Sequence, residues 1–319
     1  MMNVLAHLRR RERWRWWEIA FWLALIAVIF ALPSRAALIN EALIAGLFAL
    51  SLDLILGLTG VVSLGQAAFF GLGAYTAAIT ANAGYDDPLI GLAAAIPPAA
   101  LLGLATAPLL LRGADLTRLM VTMGVALIAG ELANQNGWLT GGADGLNFTV
   151  APLFGRFSIG SLGDGPRNAA LFSLAVLFAL FFGARRLARS PFGISLAAVR
   201  ENRLRAGALG ISSSRRIVAI YTVSAVYAGV AGALLAETTQ IVSLDLFEFH
   251  RSADVMLMLI IGGAGWLYGG VIGAGVFIVI RDVASAATPE YWEFWIGAML
   301  VVLVLVGRER IARLVRLRR

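Results

Sequence analysis

GLTGVVSLGQAAFFGLGAYTAA, residues 57–78, is apolar enough to lie in a membrane, yet it carries Gly57, Gly60, Gly65, Gly71 and Gly73 together with Ser63 and Gln66. Glycine weakens a helix and a buried amide needs a partner, so both need a physical reason. Read as one helix over 61–78, Ser63, Gln66, Phe70 and Gly73 fall at i, i+3, i+7 and i+10 and share a face; Ser63, Ala67 and Gly71 form a second stripe of small residues. One reading is helix packing, centred on Gly71, because small residues at four-residue spacing let membrane helices approach while Ser or Gln bonds across the contact. The other is a broken helix bordering a translocation path lined by Ser63, Gln66, Phe70 and Gly73, since irregular backbone is tolerated at membrane depth only beside protein or water. A helix that packs on one face and lines a path with the other satisfies both.

Composition sets the surroundings. The 319 residues are 60% hydrophobic and 14% charged, and the mean hydropathy is +0.83, which describes an all-α polytopic membrane protein. The formal charge is +7 and every basic residue is arginine. The excess sits in two tails and one loop, which marks topology and contact with lipid headgroups rather than a nucleic-acid groove. Cysteine is absent and the histidines are His7 and His250, which excludes disulfides, thiolate metal sites and bis-His haem. The N-terminal basic, apolar and small-residue pattern resembles a signal peptide, with Ser34-Arg35-Ala36 as a poor cleavage site; it is read as a retained first span with Trp14, Trp16 and Trp17 at the interface.

Apolar runs lie near 18–33, 36–57, 61–82, 88–111, 114–134, 168–185, 215–236, 252–282 and 291–307, most of them near the roughly 20 residues that a spanning helix needs. Arginines place the tail 1–17, the loop 185–216 and the tail 308–319 in the cytoplasm. Both termini inside requires an even number of crossings. Parity returns if 252–282 is two segments broken at IGGAGWLYGG (261–270), near the cytoplasmic side. The expectation is about ten segments in one permease domain, 1–319. Gly265, Gly269 and Gly273 repeat the four-residue spacing and read as helix packing.

Ionisable residues within the apolar runs are Glu41 and Asp53 in the second, Glu131 in the fifth and Arg281-Asp282 at a segment end; such groups are functional suspects, although those near an interface can instead snorkel. The lack of a chain of acidic residues on one helix weighs against an ion-coupled secondary transporter, which stays as the alternative from another class. A Walker A loop needs a lysine and there is none, so any ATP and Mg are bound by partner subunits and this chain carries no cofactor or metal of its own. SPFGISLAAVRENRLRAGALGISSSRR, 190–216, suits contact with such a subunit. Pro191 starts a helix, Gly210 stops it, and 193–209 reads as one amphipathic helix on the membrane surface. Arg200 and Glu201 are assigned to ATPase coupling as charged contacts, Ala206 and Leu209 as groove-packing residues. Asn202 is assigned to the same coupling element; Arg200, Glu201 and Asn202 are adjacent and fan over about 200° of the helix, so they cannot all face one partner and some of them pin the helix to its own membrane domain. The alternative is an interfacial helix held by anionic lipid.

Taken together, GLTGVVSLGQAAFFGLGAY, LTGGADGL (139–146), SPFGISLAAVRENRLRAGALGI with YTVSAVYAGVAGALLA (221–236), and IGGAGWLYGGVIGA (261–274) resemble the permease subunits of branched-chain amino-acid ABC importers, LivM-type more than LivH-type. Gln66 stands where many members have His, and Trp266 and Gly270 where Thr and Pro are usual. The resemblance covers roughly residues 40 to 282. It implies a type II, vitamin-B12-importer-like permease that is not itself an enzyme, in the bacterial inner membrane. The implied partners are a second homologous permease, two ATP-binding subunits and a periplasmic substrate-binding protein. LTGGADGL resembles the family's external loop, where Thr140, Gly141, Gly142, Asp144 and Gly145 shape tight turns and help receive the binding protein, close the outer mouth or merely connect two spans. The resemblance implies branched-chain amino-acid cargo, with urea, short amides or carboxylates as alternatives within the family.

Overall fold

The computed structural model describes residues 16–112, 115–153, 157–159 and 165–287, and residues 294, 297 and 298. The expected last span, 291–307, and the C-terminal tail lie essentially outside the described residues, as do Trp14 and the N-terminal arginines. The chain is helical almost throughout: α1 Trp16–Ala31, α2 Ala36–Thr59, α3 Gln66–Asn82, α4 Pro88–Leu111, α5 Asp115–Gln135, α6 Gly165–Arg189, the short α7 Pro191–Glu201 and α8 Arg203–Ala208, then α9 Ser213–Thr239, α10 Phe249–Gly262 and α11 Leu267–Ala287. Among the described residues six stretches are long and apolar enough to cross a membrane, namely Pro33–Thr59, Pro88–Leu111, Leu116–Gln135, Gly165–Arg189, Ser213–Thr239 and Leu267–Ala287. The chain is a polytopic, all-α membrane protein.

The opening stretch is not one helix. α2 ends at Gly60, a left-handed cap at φ 73° that returns its N–H to the Leu56 carbonyl, a conformation that favours glycine. Residues 60–65 then run without helical hydrogen bonds, and α3 begins only at Gln66. Ser63 therefore lies before the helix and shares no helical face with Gln66, Phe70 and Gly73, contrary to the spacing argument. Backbone donors freed by the break find hydroxyl acceptors. Leu64 N–H donates to Thr122 Oγ1 at 3.1 Å, Gly65 N–H to Ser63 Oγ at 3.3 Å and Ala67 N–H to Ser252 Oγ at 3.0 Å. Each of these would cost on the order of 1–3 kcal/mol if left unpaired.

α9 runs through the middle, packed on α2, α3 and α4. Its approach to α3 is backbone on backbone: a Cβ on Gly73 would collide with the Gly229 carbonyl, and one on Gly232 with the Phe70 carbonyl. Gly73 is thus a packing residue rather than a path-lining one. Gly71 also packs, with a Cβ there meeting the Phe247 ring at 2.6 Å.

The long run 252–282 is broken as expected. Gly263 and Gly265, at φ 101° and 85°, turn the chain between α10 and α11, and α11 packs back through Gly269 and Gly273 against Gly262. Gly265 belongs to the turn and not to the packing stripe, because the stripe begins only where α11 does.

The other end of the bundle is closed by loops. The turn through Gly141, Gly142 and Gly145, all at positive φ, leads into the strand β1 (Leu146–Asn147), antiparallel to β2 (Ile241–Val242) just after α9. Thr140 Oγ1 donates to the Ala133 carbonyl at 2.5 Å, Ala151 N–H donates to the Asp86 carbonyl at 2.9 Å, and Asp144 is exposed. Two ion pairs, Arg35–Asp282 at 2.6 Å and Arg281–Glu41, tie the first turns of α2 to the last turns of α11.

Gly73→Ala is expected to destabilise the purified protein by about 1–3 kcal/mol through overpacking, read as a lower unfolding temperature in detergent. Gly275→Ala, where a Cβ meets nothing within 4 Å, should leave that temperature unchanged or slightly higher. Equal behaviour of the two variants would show that α3 and α9 do not approach this closely.

Candidate functional site: a buried polar seam and a coupling contact

Gln66 is fully buried. Its Nε2 donates to Ser224 Oγ on α9 at 3.1 Å, and that hydroxyl donates to the Ser51 carbonyl on α2 at 2.6 Å. The amide therefore joins α3, α9 and α2 at one level of the bundle. Ser63 is buried beside it, within hydrogen-bonding reach of Tyr221 on α9. With Ser252 of α10 and Thr122 of α5, these side chains form a continuous seam across five helices at the break before α3. Of the four residues expected on a path, only Phe70 lines one of the three cavities described here. Gln66 and Ser63 sit in packed contacts, because the break turns them inward against neighbouring helices.

The α7–α8 connection departs from the single helix expected over 193–209. Asn202 leaves helical geometry at φ −159° and ψ 107°, and its side chain accepts from Arg205 N–H at 2.9 Å, capping α8. Asparagine competes with helix continuation in this way. Ala206 is buried against its own chain, whereas Leu204 and Leu209 are 88% and 73% exposed; Ala206 is thus unavailable to a partner's groove. Glu201 and Asn202 are exposed.

Arg200 points into its own membrane domain. Its Nη1 donates to the Gly57 carbonyl at 2.5 Å, one of the carbonyls left free at the end of α2, where a cation is also favoured by the helix dipole. Beside it, Gly265 N–H of the α10–α11 turn donates to Asp53 Oδ1 at 2.6 Å. A Cβ on Gly265 would lie 3.2 Å from Arg200 Nη1. One arginine thus bonds the end of α2 and lies beside the α10–α11 turn.

The same end carries a cavity of about 370 Å³ bordered by Glu18, Asp53, Arg185, Trp266 and Tyr268. Arg185 and Glu18 are almost fully buried and 2.5 Å apart, fastening α1 to α6. A larger hollow of about 570 Å³ between α1 and α6, walled by side chains such as Trp22, Ile26 and Phe178, is apolar and suits lipid chains rather than polar cargo. Among the suspects, Asp53 caps the α10–α11 turn, Glu41 and Arg281 pair with each other, and Glu131 is exposed with Gln135 donating to it at 2.9 Å. Asp245, in the 240–248 connection, is raised by burial, but the Ser243 hydroxyl and Arg251 outweigh this and hold its carboxyl below the usual range.

Residues 34–304 match the family model for the branched-chain amino acid transport system / permease component. The chain belongs to this permease family. It is 30% identical to the high-affinity branched-chain amino acid transport system permease protein LivM of Salmonella typhimurium, over 89% of this chain and 72% of that protein. It is 31% identical to LivM of Escherichia coli over 80% of this chain and 64% of the relative. The autoinducer 2 import system permease protein LsrC of an Enterobacter species is 28% identical over 75% and 69%. No solved structure matches the chain.

The permease also holds functional candidates that the sequence reading passed over. Ser224, Ser252 and Thr122 are ordinary helix residues in sequence and become seam members only through contacts 58 to 185 residues away. Glu237, in the last turn of α9, is buried with its carboxyl against Gly91 in the first turns of α4. Its signal was a carboxylate at the edge of an apolar run.

Gln66→Leu should lower stability by about 0.5–1.5 kcal/mol, the net worth of one hydrogen bond; Ser224→Ala also loses its bond to the Ser51 carbonyl, and the two substitutions together should cost less than the sum of the single variants. A double-mutant cycle of unfolding temperatures checks this. Strict additivity would mean that the Gln66–Ser224 bond is not made.

Proposed function

We propose that this chain is one permease half of an ATP-driven importer for branched-chain amino acids. Family membership and likeness to two LivM proteins support this reading. The structural observation that carries its mechanism is Arg200, which joins the only long basic connection among the described residues to the end of α2 and the α10–α11 turn. The proposal includes ten membrane segments, with 291–307 the tenth, in the type II, vitamin-B12-importer-like arrangement. It places the chain in a bacterial inner membrane with both termini and 185–216 in the cytoplasm. A second permease, two ATP-binding subunits that hold ATP and Mg, and a periplasmic binding protein complete the machine.

The geometry supports one route for coupling. An effector can shift a distant equilibrium only through contacts that differ between its states. Glu201, Leu204 and Leu209 present an exposed charged and apolar surface to the ATPase, the charge setting register more than affinity. Arg200 carries the resulting displacement of α7 to α2 and to the α10–α11 turn. The turn moves α10, whose Ser252 holds the first turn of α3. The seam at Ser63 and Gln66 is the joint around which these helices rearrange, and Phe70 and its neighbours border the path. At the opposite end, the glycine turns of 140–145 and the β1–β2 pair form the platform that meets the binding protein.

Reconstituted alone, the permease should take up nothing under any ion gradient. With ATPases, binding protein and ATP it should import leucine, isoleucine or valine, and a panel including urea and short amides tests the cargo. Uptake by the chain alone, driven by an ion gradient, would overturn the reading. In the assembled importer, Arg200→Ala should lower cargo moved per ATP by about tenfold, equivalent to roughly 1.4 kcal/mol of coupling, with ATP hydrolysis retained. Leu204→Glu should instead lower ATPase binding.

A further inference from the structure

A cleft of about 50 Å³ lies at the loop end of the bundle, between the first turns of α2 and α10 and the last turns of α9 and α11. Its rim carries two cations, Arg251 and Arg281, and two anions, Glu41 and Asp254. Its floor is apolar: Phe48 and Phe70 lie with ring centroids 4.4 Å apart, beside Met258. Arg281 pairs with Glu41 across the cleft, and Arg251 pairs with Asp245 at 2.8 Å.

Two features separate this group from a structural ion pair. Neither partner is buried, with side-chain exposures of 25% for Arg281 and 37% for Glu41; a pair of this kind contributes only about 0–1 kcal/mol, so exchanging its partners costs little. Both signs of charge also stand above a ring-lined apolar floor. A ligand with a carboxylate and an ammonium on one carbon and a compact aliphatic side chain matches that layout: Arg281 or Arg251 receives the carboxylate, Glu41 or Asp254 the ammonium, and Phe48, Phe70 and Met258 the side chain. An anion alone or an amine alone leaves one rim charge unmatched, which is penalised once the bound ligand excludes water from the rim.

We infer that this cleft is a transit site for zwitterionic α-amino acids with aliphatic side chains, on the side where the binding protein delivers them. The inference rests on the importer reading and adds to it a residue-level site. At about 50 Å³ the cleft is closed to a whole amino acid, so occupancy requires α11 to part from α2, opening the Arg281–Glu41 contact that the ligand then replaces.

The test is radiolabelled leucine binding to the purified permease–ATPase complex without binding protein, alongside ATP-driven uptake by the complete importer. Leucine binding should be weak, competed by valine, and resistant to 4-methylpentanoate and to 3-methylbutylamine, which lack the ammonium and the carboxylate respectively. Glu41→Gln should weaken leucine binding by about tenfold while binding-protein-stimulated ATP hydrolysis persists, and Glu41→Asp should restore binding. Competition by either analogue as strong as by valine, or full leucine binding in Glu41→Gln and Asp254→Asn, would overturn the cleft. If those variants also import leucine normally, the importer stands without this site. A wild-type importer that moves no amino acid with ATP would remove the importer reading, and the binding arm would still judge the cleft. Should Glu41→Gln fail to fold, Asp254→Asn gives the second reading of the cleft.

Discussion

Every backbone N–H and C=O at membrane depth must find a partner inside the protein, and that requirement governs the break between α2 and α3. Leaving six residues, 60–65, outside a helix frees donors that water cannot reach. Thr122, Ser63 and Ser252 accept from them. Because Thr122 and Ser252 come from α5 and α10, satisfying the break also fixes where those helices stand. The glycines of the opening stretch then have separate duties. Gly60 makes the left-handed cap, Gly65 lets the chain pass Thr122, Gly71 admits the Phe247 ring and Gly73 lets α3 touch α9.

How much of this was legible depended on whether the signal was local. The break between α10 and α11 was readable in IGGAGWLYGG because a turn at positive φ writes itself as glycine, and residues 263 and 265 are those turns. The start of α3 was not, because an apolar pattern continues unchanged through a segment that is non-helical and partly buried. Asn202 hid a second break: its capping role depends on a bond to Arg205 N–H that competes with helix continuation by a narrow margin. Spacing located Gln66 as an unusual residue without revealing that Ser224, 158 positions away, receives its bond. Arg200 was legible as a candidate for coupling, but whether it faced a partner or its own membrane domain is decided by the position of the α2 terminus, which no local pattern encodes.

The polar residues divide into joints and handles. The seam of Ser63, Gln66, Ser224 and Ser252 is enclosed, and its hydrogen bonds join α3 to α9, α2 and α10, helices that are otherwise smooth and apolar. Arg200 is a handle at one end, accessible from the connection that the proposed ATPase would grip. The Arg281–Glu41 and Arg35–Asp282 pairs, partly solvated, hold the other end. Fully buried charge occurs at Glu18–Arg185, where losing one partner would cost about 3–5 kcal/mol; it reads as a fastening of α1 rather than a moving part.

The central claim is that α7 and the α10–α11 turn move as one body, joined through Arg200. The absence of native cysteine makes it directly measurable by spin labelling. Labels at Ala197 on α7, Trp266 in the turn and Trp138 near the outer loop would be followed by pulsed electron resonance in the assembled importer, with and without ATP. The account predicts that the 197–266 distance stays constant while both distances to 138 change together. A 197–266 distance that shifts with ATP while 266–138 stays fixed would contradict it, leaving α7 a docking element with no grip on the membrane helices.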